Sequence, residues 1–159
     1  VALPLEIAGG LSKAQRRQKV EEALADVGLE GCCDKMPDEL SGGMRQRAAF
    51  ARTMLTGSDL LLLDEPFSAL DFLTRISMQE WLLDQWQRHK KTILFITHDV
   101  EEAVFLSSSV LVVESTPIHT LTEISVPAAF PRDRSCLKNP EMVELKERLI
   151  TLLRKQVSV

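Results

Sequence analysis

Two adjacent carboxylates, Asp64 and Glu65, follow four leucines at positions 60–63. A short apolar run without polar alternation predicts a buried strand of a parallel sheet, and ligands bind at the carboxyl ends of such strands. Asp64 is suited to hold Mg²⁺ through water, because this ion keeps part of its hydration shell. Glu65 is suited to polarise a water for attack on a phosphate. The alternative is that both acids only cap the turn before Pro66.

A second candidate site is the sequence Ser41-Gly42-Gly43, which precedes a predicted helix. The start of a helix has unpaired amides and a partial positive charge. The two glycines carry no side chain that would block a close approach to the backbone. Together these features predict a site for a phosphate group. The alternative is an ordinary capped helix after a glycine turn.

The third candidate is His98, within the sequence Thr97-His98-Asp99. It closes a second apolar run, residues 92–97, which we interpret as another buried strand. A histidine at this place could contact a terminal phosphate or orient the attacking water. The alternative is a histidine with a purely structural role.

The segments around these candidates predict an α/β fold. Ser12 and Gln15 have the spacing of a capping box at a helix start, and Gly28 is a typical helix stop. Asp71 and Asp99 are predicted to cap the starts of two later helices. Helices are predicted over about 13–27, 44–55, 72–89, 100–106 and 140–155, and strands over 59–64, 92–97, 110–113 and 118–126. Alternating strands and helices favour a parallel sheet. We divide the chain into a helical part (1–56), an α/β core (57–115) and a C-terminal tail (116–159) with an amphipathic helix.

Composition excludes several classes of protein. The chain is 45% hydrophobic and 26% charged, which argues against disorder. The formal net charge is −4, so no strongly basic face for nucleic acid is predicted. The longest apolar run has four residues, too few to cross a bilayer, so a membrane role would come through a partner. Cys32, Cys33 and Cys136 lack the spacing of a metal site, which favours reduced thiols.

Four motifs together resemble the ATP-binding-cassette (ABC) ATPases. They are Leu-Ser-Gly-Gly-Met-Arg-Gln-Arg at 40–47, Leu-Leu-Leu-Leu-Asp-Glu-Pro at 60–66, Ser-Ala-Leu-Asp at 68–71 and Thr-His-Asp at 97–99. In the order of that family they correspond to the signature motif, Walker B, the D-loop and the switch histidine. The resemblance covers about residues 1–115. It implies a P-loop NTPase-like (RecA-like) parallel sheet with a helical subdomain.

The resemblance also implies a role for each matching residue. Asp64 resembles the Mg²⁺-associated aspartate, Glu65 the catalytic glutamate and His98 the switch histidine. The positions that resemble the family's nucleotide-binding residues are Ser41, Gly42, Gly43, Gln46 and Asp71. Of these, Ser41 to Gly43 resemble the part that clamps the γ-phosphate of a nucleotide held by the opposite subunit. Asp71 belongs to the loop that passes between two subunits.

Cofactors and partners follow from the same resemblance. ABC ATPases use ATP and Mg²⁺ and work as dimers with two ATP molecules between the subunits. Residues 97–103 and 130–134 are similar to those of nitrate, sulfonate and taurine importer ATPases. The resemblance therefore implies a second ATPase subunit, a membrane permease at the cytoplasmic face and, indirectly, a substrate-binding protein. It implies a small imported solute, such as nitrate or a sulfonate, and no nucleic-acid partner. The alternative is a soluble cassette of DNA repair or translation.

One departure from the family is large, because the sequence has no Gly-x-x-x-x-Gly-Lys-Ser/Thr and no Gly-Lys pair. That loop normally cradles the phosphates. We interpret the chain as a cassette that is incomplete at the N-terminus, and we expect no ATPase activity and poor solubility from it alone. The strands at 92–97 and 109–114 are expected either to be separated by a gap or to pair directly with each other. The alternatives are a degenerate cassette with only a dimerisation or regulatory role, and a chain that complements a separate N-terminal piece.

Overall fold

Helices and strands alternate along the chain in the computed structural model, which describes residues 1–114 and 117–157. The helices are α1 (Leu3–Ala8), α2 (Lys13–Asp26), α3 (Gly42–Met54), α4 (Phe72–His89), α5 (Val100–Leu106) and α6 (Pro140–Val157), and the strands are β1 (Leu60–Asp64), β2 (Thr92–Ile96), β3 (Ser109–Val113) and β4 (Leu121–Ser125). The chain forms two compact units, Val1–Ile96 and Thr97–Val159. The predicted boundary between residues 115 and 116 lies outside the described residues, and the three-part division stays a prediction.

The sheet of the first unit consists of β1 and β2, which pair in parallel with Leu60 opposite Thr92. This parallel pairing across α4 confirms the prediction for these two strands. One face of β1 is buried, with Leu61 only 2% exposed, whereas Leu62 on its other face is 67% exposed. Ile93 and Phe95, which lie opposite Leu61 and Leu63 on β2, are half-buried. The prediction that these apolar strands are buried on both faces is therefore wrong for this chain, because the face that carries Leu62, Leu94 and Ile96 is exposed. Poor solubility stays a prediction.

The second unit contains an antiparallel hairpin instead of a third parallel strand. β3 pairs with β4, with Ser109 opposite Ser125 and Val113 opposite Leu121. The predicted strand near 118–126 is confirmed, but β3 does not extend the parallel sheet, and direct pairing of β2 with β3 is not observed. The physical reason is proximity, because a short connection brings β4 back alongside β3.

Local capping decides where the helices begin and end. The Ser12 hydroxyl accepts a hydrogen bond from the Gln15 amide at 3.3 Å, and the Gln15 side chain accepts one from the Ser12 amide at 2.9 Å. This confirms the predicted capping box. Gly28, at φ +66°, follows the end of α2 as predicted. Helix α3 begins at Gly42, two residues earlier than expected.

The core of the first unit is built around aromatic side chains. Phe50 of α3 stacks on Phe67 at 6.1 Å between ring centroids and meets Trp81 of α4 edge-on at 5.3 Å. The side of α4 that is buried consists of Met78, Gln79, Leu82 and Leu83. The helical spacing of the sequence predicts that Leu73 and Leu83 share the apolar side of this helix. Leu83 is buried as predicted, but the prediction is wrong for Leu73, which is exposed. In the second unit, the sequence predicts that Met142, Leu145, Leu149 and Leu152 lie on one apolar face of α6. The first three are buried and Leu152 is half-buried.

Candidate functional site

The start of α3 places the Ser41-Gly42-Gly43 sequence at a helix N-terminus. The Ser41 hydroxyl accepts a hydrogen bond from the Met44 amide at 3.2 Å, which makes it the N-cap. Ser41 and Gly42 are exposed. Gly43 lies against the segment that follows β1, because a Cβ built on it would be 3.4 Å from Leu70 Cδ2 and 3.7 Å from the Ala69 carbonyl oxygen. The helix start and this segment are therefore in direct contact.

Asp64 and Glu65 lie at the carboxyl end of β1, and both are exposed. Glu65 has a φ of +44°, a left-handed conformation that is uncommon for a residue other than glycine. Its amide donates to the Ile96 carbonyl at 2.9 Å. Its carbonyl accepts from the Ser68 amide at 3.2 Å and from the Ser68 hydroxyl at 3.0 Å. The backbone under this carboxylate is therefore held on both sides.

Gln46 connects α3 to the turn that begins at Glu65. Its Nε2 donates to the Glu65 carbonyl at 3.0 Å, and its Oε1 accepts from the Ala69 amide at 2.9 Å. Both polar ends of the side chain therefore have protein partners in this structure. The expected nucleotide contact of Gln46 stays a prediction. From the sequence, no individual part was predicted for Ser68 or Ala69. Ala69 takes part through its backbone amide, which carries no residue-type signal, and the Ser68 hydroxyl bonds to a backbone carbonyl, which the sequence does not mark either.

Asp71 is the N-cap of α4, as predicted. Its carboxylate accepts a hydrogen bond from the Thr74 amide at 3.1 Å. Hydrogen bonds from Thr74, first from its side chain and then from its backbone, hold the pKa of the exposed Asp71 carboxyl below its ordinary value. Asp71 is therefore ionised near neutral pH, when it caps the helix.

His98 belongs to the second unit and is exposed at the start of α5. The Thr97 hydroxyl beside it donates to Glu102 Oε2 at 2.7 Å and accepts from the Asp99 amide at 3.0 Å. Asp99 Oδ1 accepts from the amides of Glu101 at 2.8 Å and Glu102 at 3.2 Å, as predicted for a helix cap. The Glu102 side chain is largely buried. Residues on both sides of His98 are thus fixed by local hydrogen bonds.

The first unit brings together most of the predicted site residues. Contacts through Gly43 and Gln46 join the helix start at Ser41 to the turn of Glu65. Across residues 1–114 and 117–157, no three or more histidine, cysteine or acidic side chains are grouped as a ready-made metal site. Mg²⁺ needs no such group, because one or two carboxylates and substrate phosphates usually hold it. The carboxylate of Asp64 at the sheet edge fits that requirement.

Two further properties bear on the class of protein. None of the described helices has both the length and the apolar character that crossing a membrane requires. Cys32, Cys33 and Cys136 are free thiols in this structure.

Comparisons with known sequences point to one family. The model of the ABC transporter family matches residues 5–68. The formylaminopyrimidine import ATP-binding protein ThiZ of Halalkalibacterium halodurans is 48% identical over 134 residues, which cover 83% of this chain and 53% of that protein. The aliphatic sulfonates import ATP-binding protein SsuB 1 of Pseudomonas aeruginosa is 48% identical over 119 residues, covering 75% and 48%. The chain thus spans about half the length of the curated relatives it matches.

Solved structures confirm the predicted fold class. The ATP-binding cassette MJ0796, in a dimeric post-hydrolysis state with ADP and phosphate, aligns with a TM-score of 0.68 and 28% identity over 81% of this chain and 56% of that chain. Another dimeric structure of MJ0796, described as a bacterial ABC transporter cassette, gives 0.64 and 32% identity, covering 69% and 48%. With the family match and the four motifs in order, these similarities show that the chain belongs to the ABC transporter ATPase family.

Proposed function

We propose that this chain supplies the signature, Walker B, D-loop and switch-histidine part of an ATP-binding subunit that couples ATP hydrolysis to solute import through a membrane permease. The observation that supports this most is the contact between two motifs that are distant in sequence. The helix start at Ser41-Gly42-Gly43 lies on the turn that carries Glu65. A proposed phosphate-binding feature and a candidate general base thus lie on two segments that are in direct contact.

The proposed chemistry assigns a task to each exposed group. Asp64, at the end of β1, would hold Mg²⁺, which when bound neutralises charge on the phosphates. Glu65 accepts the proton of the attacking water, since its carboxylate is exposed while its backbone is fixed. His98 donates a hydrogen bond to a γ-phosphate oxygen. The phosphates themselves need further donors, which the family's phosphate loop supplies.

The second proposed element is a dimer with ATP between the subunits. Ser41 and the exposed amides at the start of α3 bind the γ-phosphate of a nucleotide held by the other subunit. The resemblance also implies that Gln46 takes part in nucleotide binding and that Asp71 lies in the loop between the subunits. The dimeric structures of MJ0796, one of them with ADP and phosphate, support this arrangement.

The imported solute is proposed to be small, and an anion such as a sulfonate or nitrate is the first class to test. Support comes from a relative named for aliphatic sulfonate import, while another is named for formylaminopyrimidine import. The ATPase does not contact the solute in this scheme. A permease and a substrate-binding protein select it, and the ATPase lies at the cytoplasmic face of the membrane. No nucleic acid takes part.

The test uses the natural gene product that contains this chain, isolated with its membrane complex from the source cell. Glu65→Gln is expected to lower phosphate release by about 10²–10⁴-fold while ATP remains bound, because the general base is lost. Asp59→Asn is the matched control, since Asp59 is an exposed acid at the opposite end of β1 whose backbone carbonyl still accepts from Thr92. Equal phosphate release from wild type and Glu65→Gln, or a gene product that is not associated with a permease, contradicts the proposal.

A further inference from the structure

We propose that Gln46 is a positioning residue, whose side-chain amide ties α3 to the turn of Glu65 and fixes the backbone from which that carboxylate projects. The inference rests on the proposed function for its consequence, because it concerns how Glu65 is held for hydrolysis. Its evidence is independent of any nucleotide. It comes from hydrogen bonds and contacts within the first unit.

The geometry of the bridge is specific to an amide side chain. Gln46 is 19 residues from Glu65 and 23 from Ala69 along the chain, yet it contacts the two ends of the turn at 3.0 and 2.9 Å. A glutamine carries both a donor and an acceptor on one planar group, so it can pair with a carbonyl at one end and an amide at the other. Gln46 is half-buried, which limits competition by water.

The segment that Gln46 bridges is also under backbone strain. Glu65 has the left-handed φ of +44°, and such a residue keeps this conformation only when its surroundings impose it. Three donor groups converge on its carbonyl oxygen, two from Ser68 and one from Gln46. Ser68 lies in the same turn and moves with it. Among these three donors, that of Gln46 is the one that anchors the turn to a different element.

A second contact packs α3 directly against the turn. Gly43 lies one helical turn before Gln46 and approaches Leu70 and the Ala69 carbonyl so closely that a Cβ would be in van der Waals contact with both. In the proposed dimer, Ser41 and its neighbours bind the nucleotide of the other subunit. Gln46 then links the position of that helix start to the position of Glu65. One side chain thus connects the binding of one nucleotide to the hydrolysis of the other.

The test measures amide hydrogen exchange at single-residue resolution in the full chain at low concentration. Gln46→Met keeps the length of the side chain and removes both polar atoms, so exchange of the Ala69 amide is expected to rise about tenfold. Gln46→Glu keeps an oxygen for that amide, so its exchange is expected to stay within about threefold of wild type. Gln18→Met is the matched control, because Gln18 donates a side-chain hydrogen bond to Glu22 at 2.9 Å that does not involve the turn.

Rescue by glutamate separates positioning from a general loss of stability. The proposal is overturned if Gln46→Met leaves the Ala69 amide protected, if Gln46→Glu exchanges as fast as Gln46→Met, or if exchange rises equally in α2 and at Ala69. These readouts need neither ATP nor Mg²⁺. A failure of the Glu65→Gln experiment would therefore leave this result standing, and a failure here would leave the nucleotide chemistry standing.

Discussion

The turn of Glu65 and the turn of His98 are held in different ways. Besides its local bonds from Ser68, the first is held by residues distant in sequence, with Gln46 donating to the Glu65 carbonyl and Ile96 accepting from the Glu65 amide. The second depends on neighbours, because Thr97 bonds to Glu102, five residues away. A locally held turn keeps its shape when distant parts of the unit are perturbed. A turn that is held by residues distant in sequence changes when the packing of its unit changes.

The largest expected effect comes from Phe67→Ala, which tests the dependence of the Glu65 turn on its core. Phe67 is fully buried and stacks on Phe50. Its removal is expected to lower the free energy of unfolding by about 3–5 kcal/mol, because it leaves a cavity that the core fills only in part. Urea unfolding of the chain at low concentration measures this. Phe72→Ala is the control, since Phe72 is 71% exposed and its loss should change stability by about 0.5 kcal/mol or less. Equal losses of unfolding free energy in the two variants would show that the burial of Phe67 does not stabilise the unit that carries this turn.

A smaller effect is expected from Thr97→Val, which tests the local support of the His98 turn. Valine keeps the shape of threonine but loses the hydroxyl that bonds both Glu102 and the Asp99 amide. Because Glu102 is only 6% exposed, losing the hydrogen bond from the Thr97 hydroxyl to its carboxylate is expected to lower the free energy of unfolding by about 1–3 kcal/mol. Thr97→Ser restores the hydroxyl and is expected to recover most of this in the same urea titration. Stability unchanged in Thr97→Val would mean that other contacts hold this turn.

The same contrast explains what the sequence could predict. The predicted helix caps at Ser12, Asp71 and Asp99 are confirmed. Each cap accepts from a backbone amide within three residues, and serine and aspartate are the residue types that favour this bond. The four motifs were recognised for the same reason, since each is a short continuous run. The order of the four motifs along the chain predicted the fold of the family.

Features that depend on distant contacts could not be predicted. Nothing in the types or spacing of Gln46 and Glu65 indicates that they meet. Leu62 was predicted to be buried, because continuous apolar runs are typical of strands that are covered on both faces. It is exposed, because an apolar run shows that a strand tolerates burial but does not show whether another element covers it. β3 was placed in the parallel sheet because alternation of helix and strand cannot distinguish a further parallel strand from the first arm of a hairpin.

The smallest expected effect is a pH dependence at Asp71, which lies just beyond the Glu65 turn. Hydrogen bonds from Thr74 hold the pKa of its carboxyl below the ordinary value, so the ionised form favours the folded state. This contribution is fully present above the unfolded pKa of about 3.9 and is lost as the pH falls through the lower folded pKa. Asp71→Asn keeps a capping oxygen but does not titrate. Urea unfolding at about pH 7 and about pH 3 should therefore show a stability difference between wild type and variant that shrinks at the lower pH. Thr74→Val removes the hydroxyl that contributes most to the lowered pKa of Asp71, so it should reduce this pH dependence. If the stability difference between wild type and Asp71→Asn is the same at both pH values, the bonds from Thr74 do not favour the charged form of Asp71.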